Sequence, residues 1–165
     1  MENRSVRLFI MKKLSWDDIE KITNELASKI RVSGFTPEYI IGITMGGLIP
    51  LYFLAKKLGD ASKILTVSAT SYDKETKKEL KITYLPSVDL SGKRVLLIDE
   101  IIESGDTLNK ISEIFKNQYK VGELKTAVLC VKTENCDHYP DFYVVEEKKE
   151  WMVFPWEQTD FPEYF

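Results

Sequence analysis

The sequence predicts an α/β protein built on a central, mostly parallel sheet flanked by helices. Three observations carry this expectation. The apolar runs at 39–43, 95–98 and 124–131 have the length and β-branched content of strands buried on both faces. Segments with helical periodicity stand between them, as connections in a parallel sheet require. The first two runs end in turns rich in glycine or carboxylates just ahead of a helix, the end of an open α/β sheet where ligands bind.

The elements follow in order. Residues 1–14 are expected to form an extended arm or edge strand. Ser15, with Asp18 three residues on, has the spacing of a capping box, and Ile19, Ile22, Leu26 and Ile30 give the helix it opens a buried stripe that ends at Gly34 and Pro37. The strand 39–43 runs into Thr44-Met45-Gly46-Gly47 and a helix over 48–58. Two glycines there suit either tight strand-to-helix packing or close approach of a ligand to the backbone. A strand over 64–71, a charged segment from Tyr72 to Glu79 and a strand over 80–85 make either a solvated hairpin or a lid. A turn at 89–93 leads to the run 95–98, and Leu108, Ile111, Ile114 and Phe115 place a buried face on the helix that follows. Strands are expected over 124–131 and 142–145. Pro155 breaks any regular element in the aromatic tail, which includes Trp151, Phe154 and Trp156.

At 165 residues the chain reads as a single domain, 1–165, with a full core. Hydrophobic residues make up 44% and charged residues 30%, which excludes a disordered chain. A net charge of -3 argues against a general nucleic-acid surface. No apolar run approaches the ~20 residues of a membrane span, and no signal segment is evident, so a cytoplasmic protein that needs no membrane is expected. Cys130 and Cys136 lack metal or redox spacing and are expected to be reduced thiols.

The stretch from Val95 to Leu108 carries the chemistry. Asp99 and Glu100 close a buried strand, and Glu103-Ser104-Gly105-Asp106-Thr107 turns into a helix. Ionised carboxylates accept hydroxyl hydrogen bonds and hold hard cations. Backbone N–H groups at a helix start favour an anion. A ligand that offers both hydroxyls and an anion is a sugar phosphate.

This stretch resembles the binding signature of type I phosphoribosyltransferases: four apolar residues, two acids, two apolar residues, then an acid, Ser or Thr, Gly, any residue, and Thr or Ser. Ser71-Tyr72-Asp73 before a charged loop, Val131-Lys132 at a strand end, and Trp151 ahead of Phe154-Pro155-Trp156-Glu157 are similar to the 6-oxopurine members of that family. The resemblance implies a small hood of N- and C-terminal segments over a base site. It implies that Asp99 and Glu100 bind the ribose hydroxyls of phosphoribosyl pyrophosphate, directly or through Mg²⁺. Glu103 to Thr107, including Ser104, Gly105 and Asp106, would wrap the 5-phosphate. Met45, Gly46 and Gly47 would meet the pyrophosphate, and Ser71, Tyr72 and Asp73 would belong to a flexible closing loop. Glu103 would accept the purine N7 proton, Lys132 would donate to O6, Trp151 would stack on the base, and main-chain carbonyls near Trp151 and Glu157 would meet its other edge. The implied assembly is a homodimer or homotetramer.

Three positions depart from the family pattern. Met45 stands where a cation is usual, Glu103 is a methylene longer than the usual Asp, and Asp106 puts a negative charge in the phosphate loop, tolerable with its side chain in solvent. Read only as a helix-start charge, Glu103 would gain ~0.3–1 kcal/mol from the dipole. The implied activity is transfer of phosphoribosyl to guanine, xanthine or hypoxanthine. The alternatives are a non-catalytic sensor of phosphoribosyl pyrophosphate or a nucleotide, and a transferase for another base.

Overall fold

Ser15 opens the first helix as its spacing predicts: Asp18 N–H donates to Ser15 Oγ at 3.1 Å and Ser15 N–H donates to Asp18 Oδ2 at 2.9 Å. The structure, a computed structural model, describes residues 10–59, 63–74 and 77–165, with the backbone alone for 10, 11, 71–74, 77 and 78. In chain order the elements are β1 (Ile10–Lys13), α1 (Trp16–Val32), β2 (Tyr39–Thr44), α2 (Leu48–Leu58), β3 (Ile64–Lys74), β4 (Lys77–Tyr84), β5 (Arg94–Ile102), α3 (Asp106–Asn117), β6 (Glu123–Lys132), β7 (Val145–Glu147) and β8 (Glu150–Val153). Short 3₁₀ turns at Pro155–Glu157 and Pro162–Tyr164 follow. Residues 1–9 of the expected arm lie outside the described residues; its end, β1, pairs in parallel with β8 as a small two-stranded sheet.

The main sheet has the order β4-β3-β2-β5-β6-β7. All its pairings are parallel except β3 with β4. Each face is covered. Leu96 and Ile98 of β5 pack with Leu26 and Ile30 of α1, Leu51 and Leu54 of α2, and Phe154. Val95 and Leu97 point the other way and pack with Leu108, Ile111 and Phe115 of α3. Each fully buried Leu, Ile or Phe contributes ~1.5–3 kcal/mol. Strand alternation thus sends one run of apolar residues into two cores.

This topology fixes where a ligand can sit. From β2 the chain crosses through α2 to β3 on one side, and from β5 it crosses through α3 to β6 on the other. β2 and β5 are neighbours, so the crevice beyond their carboxyl ends is the switch point at which such sheets bind ligands. The turns at 45–47 and 103–105 flank that crevice.

The strand expected over 142–145 is shifted, and the strands of the expected hairpin run further than their sequence bounds. The strand expected over 142–145 is β7 at Val145–Glu147, with Phe142 forming only an isolated bridge to Ala127. Just before Phe142 the Asp141 carboxylate accepts the Thr126 N–H at 2.8 Å, so a side chain replaces the ladder there. The charged segment after Ser71 is paired strand: β3 and β4 hydrogen-bond from Ser68↔Tyr84 out to Lys74↔Lys77. Strand pairing uses the backbone, and polar side chains do not prevent it at a solvated sheet edge. Side chains of Ser71, Tyr72 and Asp73, expected in the closing loop, lie outside the described residues, as do residues 75 and 76. Among the described residues no helix is long and apolar enough to cross a membrane.

Candidate active site

Beyond the end of β5 lies a cavity of about 230 Å³ whose walls include Asp99, Glu103, Ser104, Gly105, Thr107 and Lys110. Leu80 of β4 also reaches it, so the β3–β4 hairpin forms part of the wall.

The turn that shapes the cavity is held by the segment 137–138 and by its own Ser104 side chain. Gly105 sits at φ +84 and caps the 12-residue helix α3. A Cβ at Gly105 would collide with the His138 carbonyl oxygen. The N–H groups of Asp137 and His138 both donate to the Ser104 carbonyl at 3.1 Å. Ser104 Oγ accepts the Asp106 N–H at 3.2 Å. The first N–H groups of a helix have no intrahelical acceptor, and the dipole adds positive potential there. Asp106 also lines the cavity; its side chain is exposed, with its carboxylate 3.8 Å from His138 Nε2.

The Asp99 and Glu100 side chains leave the strand end in opposite directions. Asp99 lines the cavity, and its Oδ1 accepts the Glu100 N–H at 2.8 Å. Glu100 turns the other way, where Oε2 accepts the Trp156 indole N–H at 2.8 Å. Its carboxylate lies so close to Gly46 that a Cβ on that glycine would overlap it. Burial pushes both carboxyls up to about 7, opposed at Asp99 by the Glu100 N–H and at Glu100 by the Trp156 N–H.

The glycine turn after β2 is packed tightly. Gly47 N–H donates to the Ile43 carbonyl at 2.8 Å, and a Cβ on Gly47 would stand 2.6 Å from the Ile43 and Ile98 carbonyl oxygens. Both glycines therefore meet the packing requirement of the turn. Met45, ahead of them, is 81% exposed, and the Thr44–Met45 peptide bond is cis.

Three of the residues singled out for base recognition come together. Lys132 Nζ at the end of β6 lies 3.3 Å from Glu103 Oε1 and 3.7 Å from the centroid of the Trp151 ring. The lysine side chain is 19% exposed and the glutamate 50%. Glu103 thus touches both the cavity and the lysine–tryptophan pair. Glu157 is placed differently. Its carboxylate accepts the Phe154 N–H at 2.8 Å, and its carbonyl already accepts the N–H groups of Asp160 and Phe161, each at 3.0 Å. A purine donor would compete with those bonds. Burial raises the Glu157 carboxyl above its ordinary range.

Two contributors were not visible as functional in the sequence. The Asp137–His138 segment braces the turn at 103–105 through its backbone, which no side-chain motif announces. Trp156 reaches Glu100 across the fold; the available signal was that a buried indole N–H seeks an acceptor. Cys130 and Cys136 are free thiols, and burial pushes Cys130 up to about 12. No group of three or more His, Cys, Asp or Glu side chains among the described residues could hold a metal ion unaided.

Residues 14–160 match the phosphoribosyl transferase domain family. The chain is 25% identical over 146 residues to the xanthine-guanine phosphoribosyltransferase of Vibrio atlanticus, covering 88% of each chain. Among solved structures, a purine phosphoribosyltransferase from Pyrococcus horikoshii is 32% identical and superimposes with a TM-score of 0.77, over 88% of this chain and 93% of that one. A Neisseria gonorrhoeae protein solved with bound ppGpp is 27% identical with a TM-score of 0.77, over 94% of both chains. A cavity at the switch point, a glycine turn beside it and a match spanning nearly all of the described fold have one reading: the chain belongs to the phosphoribosyltransferase family.

Proposed function

We propose that the protein transfers the phosphoribosyl group of phosphoribosyl pyrophosphate to a 6-oxopurine, giving a nucleoside 5'-monophosphate and pyrophosphate. The observation that carries this reading is Glu103, which lines the phosphate cavity and also contacts Lys132 above Trp151. One carboxylate stands where the two substrates would meet.

The roles follow from the chemistry. The 5-phosphate would sit at the turn 104–107 at the start of α3, where Ser104 and Thr107 line the cavity and helix-start N–H groups favour an anion. Asp99, which lines the cavity, would accept ribose hydroxyls. Trp151 offers the base an aromatic face, and the Lys132 ammonium offers O6 a donor. Adenine presents an amino group at that position, leaving donor against donor. Glu103 takes the N7 proton, the N9 electron pair forms the bond to C1, and the C1–oxygen bond breaks with its electrons leaving on pyrophosphate. The β3–β4 hairpin, whose Leu80 already walls the cavity, is placed to keep water from the oxocarbenium-like sugar.

Mg²⁺ fits this donor set, because it is commonly held by one or two carboxylates together with substrate phosphate oxygens. Asp99 is the residue that would hold it, with Glu100 the second carboxylate at hand. When bound, it would neutralise charge on the departing pyrophosphate. A homodimer or homotetramer in the cytoplasm completes the proposal: α2 leaves Leu48 and Tyr52 exposed for self-association, and free thiols suit a reducing compartment.

The test is direct. Purified protein, Mg²⁺, phosphoribosyl pyrophosphate and guanine, xanthine or hypoxanthine are assayed for nucleoside monophosphate. Turnover of at least one base supports the proposal; none with all three overturns it. The ppGpp bound to the Neisseria gonorrhoeae neighbour favours a second reading, a nucleotide-binding regulator on this fold. Tight ppGpp binding without turnover of any base would select it.

A further inference from the structure

We infer that Trp156 is a positioning residue for phosphoribosyl pyrophosphate, fixing the Glu100 carboxylate between the hood and the glycine turn. This rests on the transferase reading above. The geometry is specific. Trp156 Nε1 donates to Glu100 Oε2 at 2.8 Å, and the rest of that carboxylate lies against Gly46. Glu100 is therefore the junction of three elements: the end of β5, the turn 45–47, and the tail that carries Trp151.

The indole is itself held in place. It stacks on Phe154, with centroids 4.8 Å apart and planes inclined by 12°, and packs on Trp16 of α1 at 6.0 Å. Pro155 and the bond from Phe154 N–H to the Glu157 carboxylate set the turn that presents it. A donor mounted on so many contacts has few orientations to lose, so its bond gives Glu100 one position. Without that bond the carboxylate can rotate, either toward the ribose side or into the space the Gly46 turn needs.

Trp156 and Trp151 lie in the same tail but act on different substrates. Trp151 carries Lys132 above its ring, at the base side. Trp156 faces the acid at the strand end. The tail would then serve both halves of the reaction, and the substitution that separates them is at position 156.

The test compares wild type with Trp156→Phe, which keeps an aromatic ring against Phe154 and Trp16 but removes the donor. Phosphoribosyl pyrophosphate affinity is read by titration calorimetry with Mg²⁺ present and no base, and KM values are read for each substrate. The expected result is about a tenfold rise in both the dissociation constant and the KM for phosphoribosyl pyrophosphate, with the KM for the base within about twofold. In a Glu100→Ala background the same substitution should add less than twofold, because the bond it removes is already gone. Benzothienylalanine at position 156, which has sulfur in place of the indole N–H, should reproduce Trp156→Phe and covers the case where phenylalanine fails to fold.

Phe115→Leu, fully buried in the core on the α3 side of the sheet, supplies the structural comparison: it should lower the melting temperature while leaving phosphoribosyl pyrophosphate affinity near wild type. Equal affinity in wild type and the donor-less variants overturns this inference alone, as does a loss shared equally by both substrates. A wild-type protein that neither binds phosphoribosyl pyrophosphate nor turns over a base overturns the transferase reading and this inference with it.

Discussion

Asp99→Asn should stabilise the unliganded protein above neutral pH while weakening sugar-phosphate binding. Burial raises the Asp99 carboxyl from 3.8 to about 7 in the folded chain. Between those values the folded protein keeps a proton that the unfolded chain has released, so stability falls as pH rises through this window. A shift of about three units at ~1.4 kcal/mol each sets a ceiling of ~4 kcal/mol, and water at the cavity mouth reduces it to roughly half. Asparagine carries no charge at any pH, and its side-chain oxygen can still accept the Glu100 N–H that Asp99 holds at 2.8 Å. The contribution below the unfolded pKa is therefore preserved, and the loss above it is removed. Urea denaturation of both proteins without ligand, from pH 5 to pH 8, is the assay. The variant should already be more stable by roughly a third of the full difference at pH 5, which lies above the ordinary value of 3.8, and by ~2 kcal/mol at pH 8. Glu100, raised in the same direction, leaves a residual slope in both. Parallel curves with no widening gap would refute the claim that Asp99 is held in a desolvated cavity.

Lys132→Ala should lower kcat/KM for 6-oxopurines by about 10- to 100-fold, the range for losing a charge-assisted hydrogen bond, while the KM for phosphoribosyl pyrophosphate changes little; steady-state kinetics check it. Glu103→Gln should reduce kcat by about 100-fold or more and leave substrate binding within a few-fold, as read by single-turnover rates beside binding titrations, because a general base acts in the step rather than the complex. Its bond to Lys132 is half exposed and adds little stability, so the melting temperature should hardly move. Gly105→Ala puts a side chain at φ +84 against the His138 carbonyl, and it should lower the melting temperature by more than about 4 °C and weaken phosphate binding, measured by thermal melts with and without phosphoribosyl pyrophosphate.

Much of the fold was legible because its signals are local. The Ser15–Asp18 capping box, the stripe of Ile19, Ile22, Leu26 and Ile30, and the apolar runs that became β2, β5 and β6 depend on neighbours in sequence. The charged end of the β3–β4 hairpin was less legible because its ladder is made by backbone groups, whatever side chains they carry. The site divides in the same way. Glu103, Lys132 and Trp151 were proposed from a family resemblance, and the structure brings them into contact. Asp99 and Glu100 are adjacent in sequence, and successive residues of a strand face opposite sides. That alternation was present in the sequence and separates the two carboxylates into a cavity and a tryptophan contact. The Trp156 bond and the Asp137–His138 brace join segments distant in sequence, so periodicity and motif spacing could not reveal them.

The most direct measurement is the ratio of kcat/KM for hypoxanthine to that for adenine, with phosphoribosyl pyrophosphate and Mg²⁺ in excess. The two bases differ at position 6, which the Lys132 ammonium reads in the proposed site. Hypoxanthine should be preferred by at least about 100-fold, and Lys132→Ala should shrink that ratio by about tenfold or more. Equal use of the two bases, or a preference for adenine, would contradict a 6-oxopurine site built on Glu103, Lys132 and Trp151.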